Sequence, residues 1–324
     1  MTHPFLRRLL AAVVVAGLSA AAQADDLIIG YQTGIDPTKI PQADGTYDKA
    51  LGQKIDWRRF NSGAEVVTAI ASGDVQIGNL GSSPLATATT RGLPIVTFFV
   101  AAQINAAEAL VVRNGSGING PQDLVGKTIA TPFVSTSHYS LLGALKHWQL
   151  DPSTVKIVNL NPTEIAAAWK RGNIDGAFVW SPALGEIKKE GKVLTDAEQV
   201  GTWGAPTFEV WVARKDFADK HPELLSKFAQ VSLDAFADYA AHKDSWNADS
   251  EPVQKIARLT GAAPQDVPEL LAGSAFPDAS QQAQLLRGKT AQDIAATAVF
   301  LKEQGKADGV LSDYSPYVSD AYLP

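Results

Sequence analysis

Apolar and polar residues follow one another along this chain in two alternating patterns. Short apolar runs predict β-strands near Leu27–Tyr31, Ile55–Phe60, Thr128–Pro132 and Val155–Leu160. Longer segments of mixed character predict helices, and the two clearest after Asp216 are Pro222–Ala241 and Ala291–Gln304. Strands that alternate with helices are typical of parallel α/β sheets, so the pattern predicts an α/β fold.

Two distant segments repeat one pattern at a constant offset of 99 residues. The first begins at Ser62, has Glu three positions later and reaches Gly73; the second begins at Asn161, has Glu three positions later and reaches Gly172. A capping residue with Glu at the third helical position starts a helix, and glycine commonly ends one. Each copy continues with a predicted strand and a Ser-Pro pair, which is typical of a further helix start.

The duplication predicts two α/β lobes. Two short apolar strands, Glu108–Arg113 and Glu209–Arg214, flank the second copy, and each begins with Glu and ends with Arg. We expect the chain to cross between lobes at these strands, which would form a two-strand hinge beside an interlobe ligand cleft, with residues 114–120 as a linker. The predicted lobe 1 is residues 25–112 and 214–324, with the helical tail packed on it, and lobe 2 is residues 113–213.

The first 24 residues have the pattern of a secretory signal peptide. Arg7 and Arg8 precede an apolar run over residues 9–22, and Ala22-Gln23-Ala24 supplies a cleavage sequence. A run of about fourteen residues is shorter than the roughly twenty that span a bilayer. We therefore expect export to the periplasm and a net charge that changes from −6 to −8 when Arg7 and Arg8 are removed.

Composition excludes several classes of function. The acidic balance argues against a nucleic-acid surface, which needs clustered Lys and Arg. The absence of cysteine excludes disulfides, cysteine metal ligands and a lipid anchor on cysteine. The histidines after residue 24 have no metal-ligand spacing, so we expect neither a metal nor another cofactor.

Four strings resemble the taurine-binding proteins of bacterial taurine ABC importers. They are GNLGSSP at 78–84, STSHYSLL at 135–142, AWKRGNIDGAFVW at 168–180 and GTWGAPT at 201–207. The resemblance implies a type II periplasmic-binding-protein fold, a monomer, a small sulfonate ligand between the lobes and a membrane ABC permease as partner. Where that family has Asp, this chain has Glu209, which keeps the charge but changes the reach.

Taurine combines a sulfonate with an ammonium group two carbons away. A sulfonate needs hydrogen-bond donors, which helix N-termini and hydroxyls supply without a counter-cation. The candidate donors are Ser82, Ser83, Ser135 and Thr136, whereas Ser181 is more typical of a simple helix cap.

The ammonium needs acceptors, and Glu108 and Glu209 begin the two predicted crossing strands. The structural alternative for these residues is a hinge salt bridge with Arg113 or Arg214. Tyr31, Trp180 and Trp203 are candidates for the cleft walls, where an aromatic face attracts a cation. Gln32 could bond either ligand end, and His138 is as much a structural candidate as a ligand contact.

Three other functions stay open. A hydrolase could use Glu108 and Glu209 as a glycosidase pair, although no nucleophile-elbow, HExxH or P-loop pattern occurs. The ligand could be a longer aminosulfonate, an aliphatic sulfonate or a carboxylate zwitterion. A pure interaction protein would explain neither the paired lobes nor the export sequence.

Overall fold

The computed structural model describes residues 27–324, so the predicted signal peptide lies outside the described residues. Its strands form two mixed sheets, one of six strands and one of five. The strands are β1 Leu27–Tyr31, β2 Ile55–Arg59, β3 Ile77–Gly81, β4 Ile95–Ile104, β5 Glu108–Arg113, β6 Thr128–Thr131, β7 Lys156–Asn159, β8 Gly176–Trp180, β9 Gly191–Asp196, β10 Thr207–Arg214 and β11 Ser274–Ala275. The α/β prediction is confirmed, with antiparallel strands added to each parallel group.

The two sheets have matching strand orders. The first runs β11-β4-β10-β3-β1-β2 and the second runs β9-β5-β8-β6-β7. In each sheet three parallel strands are followed by one antiparallel strand from elsewhere in the chain, β10 in the first sheet and β5 in the second. The lobes are therefore structural repeats of one another.

Helices cover the faces of both sheets. They are α1 Lys39–Ala43, α2 Thr46–Leu51, α3 Gly63–Ser72, α4 Ser82–Thr90, α5 Thr136–His147, α6 Pro162–Lys170, α7 Ala183–Lys188, α8 Ala197–Thr202, α9 Lys215–Lys220, α10 Pro222–His242, α11 Glu251–Thr260, α12 Val267–Ala272, α13 Ala279–Gln284 and α14 Thr290–Glu303. Short 3₁₀ turns and one π-helical turn, Leu285–Lys289, connect some of them.

The predicted repeat is present in the local geometry. Helix α3 is capped by Ser62, and α6 by the reciprocal bonds of Asn161 and Glu164. Gly73 and Gly172 adopt the left-handed conformation that ends a helix, at φ 89° and 73°. The Ser-Pro pairs behave differently, because neither Ser83 nor Ser181 caps a helix with its side chain.

The chain crosses between lobes at other positions than the sequence suggested. Strand β5, assigned to lobe 1 apart from its last residue, pairs with β8 and β9 in the second sheet. Strand β10, assigned to lobe 2 apart from its last residue, pairs with β3 and β4 in the first. The two strands therefore belong to different sheets, because each finds its backbone partners beyond the crossing. The crossings are residues 105–107 and 203–206, while 114–120 lies within the second lobe.

The C-terminal helices cover lobe 1, and two of them also contact lobe 2. Helix α10 packs on α2 and β4, α14 packs on α4, α11 packs on α1, and α12 lies beside β11, as expected for a tail that covers lobe 1. Helices α11 and α12 also bury Val253, Ile256 and Leu271 in one apolar cluster with Trp169 and Ile187 of the second lobe. These two helices therefore contact both lobes.

We expect the substitution Asn161→Ala to lower the free energy of unfolding by about 1 kcal/mol, because it removes the acceptor for the Glu164 backbone N–H at the start of α6. Urea unfolding followed by circular dichroism measures this change. Asn173→Ala is the control, since Asn173 is exposed and bonds this helix only through its backbone N–H. Equal losses in the two variants would contradict the capping role.

Candidate functional site

Two glutamates from opposite lobes meet at one site. Glu209 is the third residue of β10 and lies opposite Gly81 of β3. Glu108 is the first residue of β5 and lies opposite Trp180 of β8. Gly81 and Trp180 are themselves 99 residues apart, so the two carboxylates occupy equivalent positions of the repeat. Both line the same two adjoining cavities, which the predicted convergence of the crossing strands requires.

Both carboxyl groups are in surroundings that disfavour their charge. Glu108 is buried, and Glu209 keeps only partial exposure, towards the cavity. Burial raises the pKa of Glu108 to about 7, and the nearby charge of Glu209 adds to the rise. Burial also raises the pKa of Glu209 to about 7, with repulsion from Asp36 as a further cause. A cation in this cavity would relieve both effects.

Glu108 has one oxygen satisfied and one unsatisfied. The Thr136 hydroxyl donates to its Oε1 at 2.6 Å. Its Oε2 is buried and has no hydrogen-bond partner within residues 27–324. A buried oxygen without a donor costs about 1–3 kcal/mol, so this atom is available as an acceptor. The structural alternative fails, because Arg113 bonds the carbonyls of Trp169 and Ile174.

The N-termini of two helices face each other across the same site. Helix α4 of the first lobe begins directly after Gly81, and α5 of the second begins at Thr136. A Cβ added to Gly81 would lie 2.6 Å from the Thr136 Cγ2, so the glycine permits this close approach. Two N-termini direct backbone N–H groups and positive dipole ends to one place, which suits an anion.

Several hydroxyls near these N-termini are buried and uncommitted. The side-chain oxygens of Ser82, Ser83 and Ser137 have no hydrogen-bond partner in the described part of the chain, and the same holds for Ser181, which directly follows β8. Ser135 differs, because its hydroxyl donates to the Pro132 carbonyl and accepts from the His138 backbone N–H. Its cavity contact therefore does not offer a hydroxyl donor.

The two cavities share Glu108, Trp180 and Glu209. The smaller, about 240 Å³ with its opening, is also lined by the polar residues Gln32, Ser135 and Thr136. The larger, about 430 Å³ with its opening, continues past the carboxylates and is lined by Gly34, Ile35, Asp36, Ile104, Ser181 and Leu270, among others. The site is thus polar and donor-rich at one end, acidic in the middle and partly apolar beyond.

Six of the eleven predicted site residues line these cavities, and two more lie beside them. The six are Gln32, Glu108, Ser135, Thr136, Trp180 and Glu209. Ser82 and Ser83 form the first turn of α4, directly after the lining residue Gly81. Tyr31, His138 and Trp203 line neither cavity.

The three remaining residues have packing roles. Tyr31 packs edge-on against Trp57 in the core of the first lobe. His138 stacks on Phe133, its Nδ1 accepts from the Val134 N–H, and burial lowers its pKa to about 4.

Trp203 lies flat on His147, with ring centroids 4.0 Å apart. Trp203 therefore covers the C-terminal end of α5, because the segment that follows α8 runs past α5 and not into the cleft. The prediction that these residues line the cleft is therefore wrong for Tyr31, His138 and Trp203.

Sequence reasoning missed Asp36 and Gly34 and undervalued Ser181. A Cβ on Gly34 would lie 3.6 Å from the Glu209 Oε2, an ordinary contact distance, so Gly34 lies directly beside this carboxylate. Ser181 corresponds to Ser82 in the repeat, and that equivalence was a usable signal. Asp36 could have been noticed from its i, i+3 spacing to Lys39.

Two further structural results bear on the class of protein. No helix within residues 27–324 is long and apolar enough to cross a membrane. The same residues contain no group of three or more His, Asp or Glu side chains arranged to hold a metal ion.

Comparisons with known proteins agree with this architecture. The family model described as NMT1/THI5 like matches residues 48–245. The chain is 52% identical over 309 residues to the taurine-binding periplasmic protein of Escherichia coli K12, which covers 95% of this chain and 96% of the relative. It is 28% identical to a putative aliphatic sulfonates-binding protein of Bacillus subtilis, over 68% of each chain.

Solved structures share the fold. The alkanesulfonate-binding protein of Xanthomonas axonopodis bound to MOPS matches with a TM-score of 0.75 and 19% identity, over 94% of this chain and 99% of that one. The aliphatic sulphonate binding protein of Escherichia coli matches with a TM-score of 0.73 and 22% identity, over 92% and 98%. The two-lobed prediction is thereby confirmed. This chain belongs to the NMT1/THI5-like family, in the group of periplasmic binding proteins that includes the Escherichia coli taurine-binding protein.

Proposed function

We propose that this protein captures taurine between its lobes and delivers it to a membrane ABC importer. The observation that carries the proposal is the meeting of Glu108 and Glu209, one from each lobe, in a cavity that also adjoins two helix N-termini. Taurine has one anionic and one cationic end, which suit these two parts of the site. The name of the relative at 52% identity supports the same ligand.

The sulfonate would lie between the N-termini of α4 and α5. Backbone N–H groups of both helices and the Ser82 and Ser83 hydroxyls are the donors available there, with the second N–H of the Gln32 amide, whose first donates to the Asn79 carbonyl. Because the donors come from both lobes, the anion would hold the lobes together.

The ammonium would lie between Glu108 and Glu209, beside the Trp180 ring. A hydrogen bond to a charged partner contributes about 1.5–3 kcal/mol, which corresponds to at least tenfold in affinity. An alkanesulfonate without a cation would leave both carboxyl groups without that partner. The acidic centre therefore favours an aminosulfonate over a plain aliphatic sulfonate.

A hydrolase is less well supported than a binder. The relatives at 52% and 28% identity are both named as binding proteins. The unpartnered donors around the acidic centre also suit a whole zwitterion better than a bond to be cleaved. We infer that the carboxylates bind the ligand and perform no chemistry.

The remaining parts of the proposal concern processing and assembly. We infer that residues 1–24 direct export and are removed, that no lipid anchor is attached, and that the protein acts as a monomer. We expect one ligand per chain, bound at the interlobe site described above.

Glu209→Gln should weaken taurine binding tenfold or more while changing ethanesulfonate binding less than about threefold, because only taurine presents an ammonium to this carboxylate. Isothermal titration calorimetry in buffers without sulfonate groups measures both. Glu65→Gln is the matched control, since Glu65 is a glutamate of lobe 1 at the exposed start of α3. Equal losses for the two ligands would remove the ammonium role.

Gly81→Ala should weaken taurine and ethanesulfonate by similar factors of roughly tenfold or more. Its new Cβ would collide with the Thr136 side chain and hold the two helix N-termini apart, which affects the anion shared by both ligands. The control is Ala86→Ser, a small change within the same helix α4. A second glycine near α4, Gly92, is unsuitable as a control because its positive φ would strain an alanine. A selective loss of taurine alone would contradict this account of the anion site.

Taurine affinity should fall as the pH is lowered through about 7, by up to about tenfold per pH unit for each proton displaced. The raised pKa values mean that the empty site is protonated below this range, and the ammonium must expel those protons. Ethanesulfonate binding should not fall. Titrations from pH 5.5 to 8.5 measure both, and a flat taurine profile in the wild-type protein would oppose the idea.

The raised pKa values of Glu108 and Glu209 also predict how the stability of the protein changes with pH. A carboxyl whose pKa is raised on folding stabilises the protein below its unfolded pKa and loses that contribution as the pH rises through its folded pKa. The contribution of Glu108 and Glu209 to the stability of the empty protein should therefore decrease between about pH 4.5 and pH 7 and level off above that range. Thermal unfolding with and without taurine should diverge over that range.

A further inference from the structure

A buried ion pair lies beside the acidic centre. The Lys39 Nζ is 2.8 Å from the Asp36 Oδ2, and the side chains are only 2% and 10% exposed. Removing two charges from water costs free energy that their attraction often fails to recover, so a buried pair is poor evidence for stability. Its position next to a ligand cavity suggests a different reason for it.

Asp36 is the member of the pair that reaches the cavity. It lines the larger cavity together with Glu108 and Glu209, whereas Lys39 is not among the lining residues. Its charge is also one of the causes that raise the pKa of Glu209, so the two carboxyl groups are close enough to interact. The cavity therefore contains three acidic side chains.

The carboxylate of Asp36 is held in a fixed orientation. Its Oδ1 accepts from the Thr38 backbone N–H at 2.8 Å and from the Thr38 hydroxyl, and its Oδ2 accepts from Lys39. The Oδ1 atom therefore has two donors and the Oδ2 atom has one. A carboxylate oxygen has two lone pairs, so Asp36 can still accept from a ligand in the cavity.

We propose that Asp36, held and partly neutralised by Lys39, is a third acceptor for the ligand cation and selects a primary ammonium group. This inference rests on the proposed function, because it concerns the same ligand. A primary ammonium has three N–H donors, and Asp36, Glu108 and Glu209 supply one acceptor for each. Lys39 keeps the cluster from carrying three full uncompensated charges, which suits a monovalent cation better than a divalent one.

The double variant Asp36→Asn/Lys39→Met tests the proposal. A single change would leave an unpaired buried charge, whereas changing both keeps the net charge and the approximate volume. Taurine affinity should fall about tenfold, and ethanesulfonate affinity should change less than about twofold, by calorimetry. A merely structural pair would weaken both ligands equally, and that result would overturn the proposal.

Asp44→Asn/Lys255→Met is the matched control. Asp44 and Lys255 form an ion pair at 2.9 Å at the other end of α1, and neither residue lines the cavities of the site. This variant should bind both ligands like the wild-type protein. A loss of taurine selectivity here as large as in the first variant would also overturn the proposal.

Thr38→Val keeps the test decisive if the double variant does not fold. It removes one donor to Asp36 and leaves every charge in place. Taurine affinity should fall about two- to threefold with ethanesulfonate unchanged, and unchanged taurine affinity would count against the proposal. Wild-type protein that fails to bind taurine would instead overturn the proposed function, whatever the variants do.

Discussion

The desolvation of two facing carboxylates is the constraint on which the site depends. Glu108 and Glu209 are brought together from opposite lobes into a cavity where burial penalises their charge. A cation placed between the two carboxylates would relieve that penalty. Under the proposed function, enclosure of the site by the two lobes and recognition of a positive ligand end would therefore be coupled.

The anion end follows a different principle. Its donors are backbone N–H groups and hydroxyls, which carry no net charge and so need no counter-charge when the site is empty. Ser82, Ser83 and Ser137 nonetheless leave buried oxygens unpartnered in the described chain, and each is a cost that a ligand could offset. The proposed site would thus select its anion through hydrogen bonding and its cation through charge.

The duplicated architecture explains how one chain builds both ends. Each sheet receives one antiparallel strand from beyond a crossing, and each of these strands places a Glu near its start, opposite the last residue of the adjacent strand β3 or β8. The repeat thus delivers one carboxylate per lobe. The departures from symmetry, such as Gly81 opposite Glu209 but Trp180 opposite Glu108, give the cavity a narrow approach on one side and an aromatic wall on the other.

The sequence by itself determined what depends on local chemistry. Capping residues, glycines and apolar runs gave the helices and strands of both copies almost to the residue, and the two glutamates stood out by their repeated position. Only the tertiary structure decided what depends on distant partners. Which sheet β5 and β10 join, where Trp203 and His138 pack, the place of α11 and α12, and the burial that shifts the glutamate pKa values all arise from contacts between segments far apart in the chain. Such contacts leave no periodic trace in the residues that make them, because packing and desolvation depend on what surrounds a side chain and not on its neighbours in sequence.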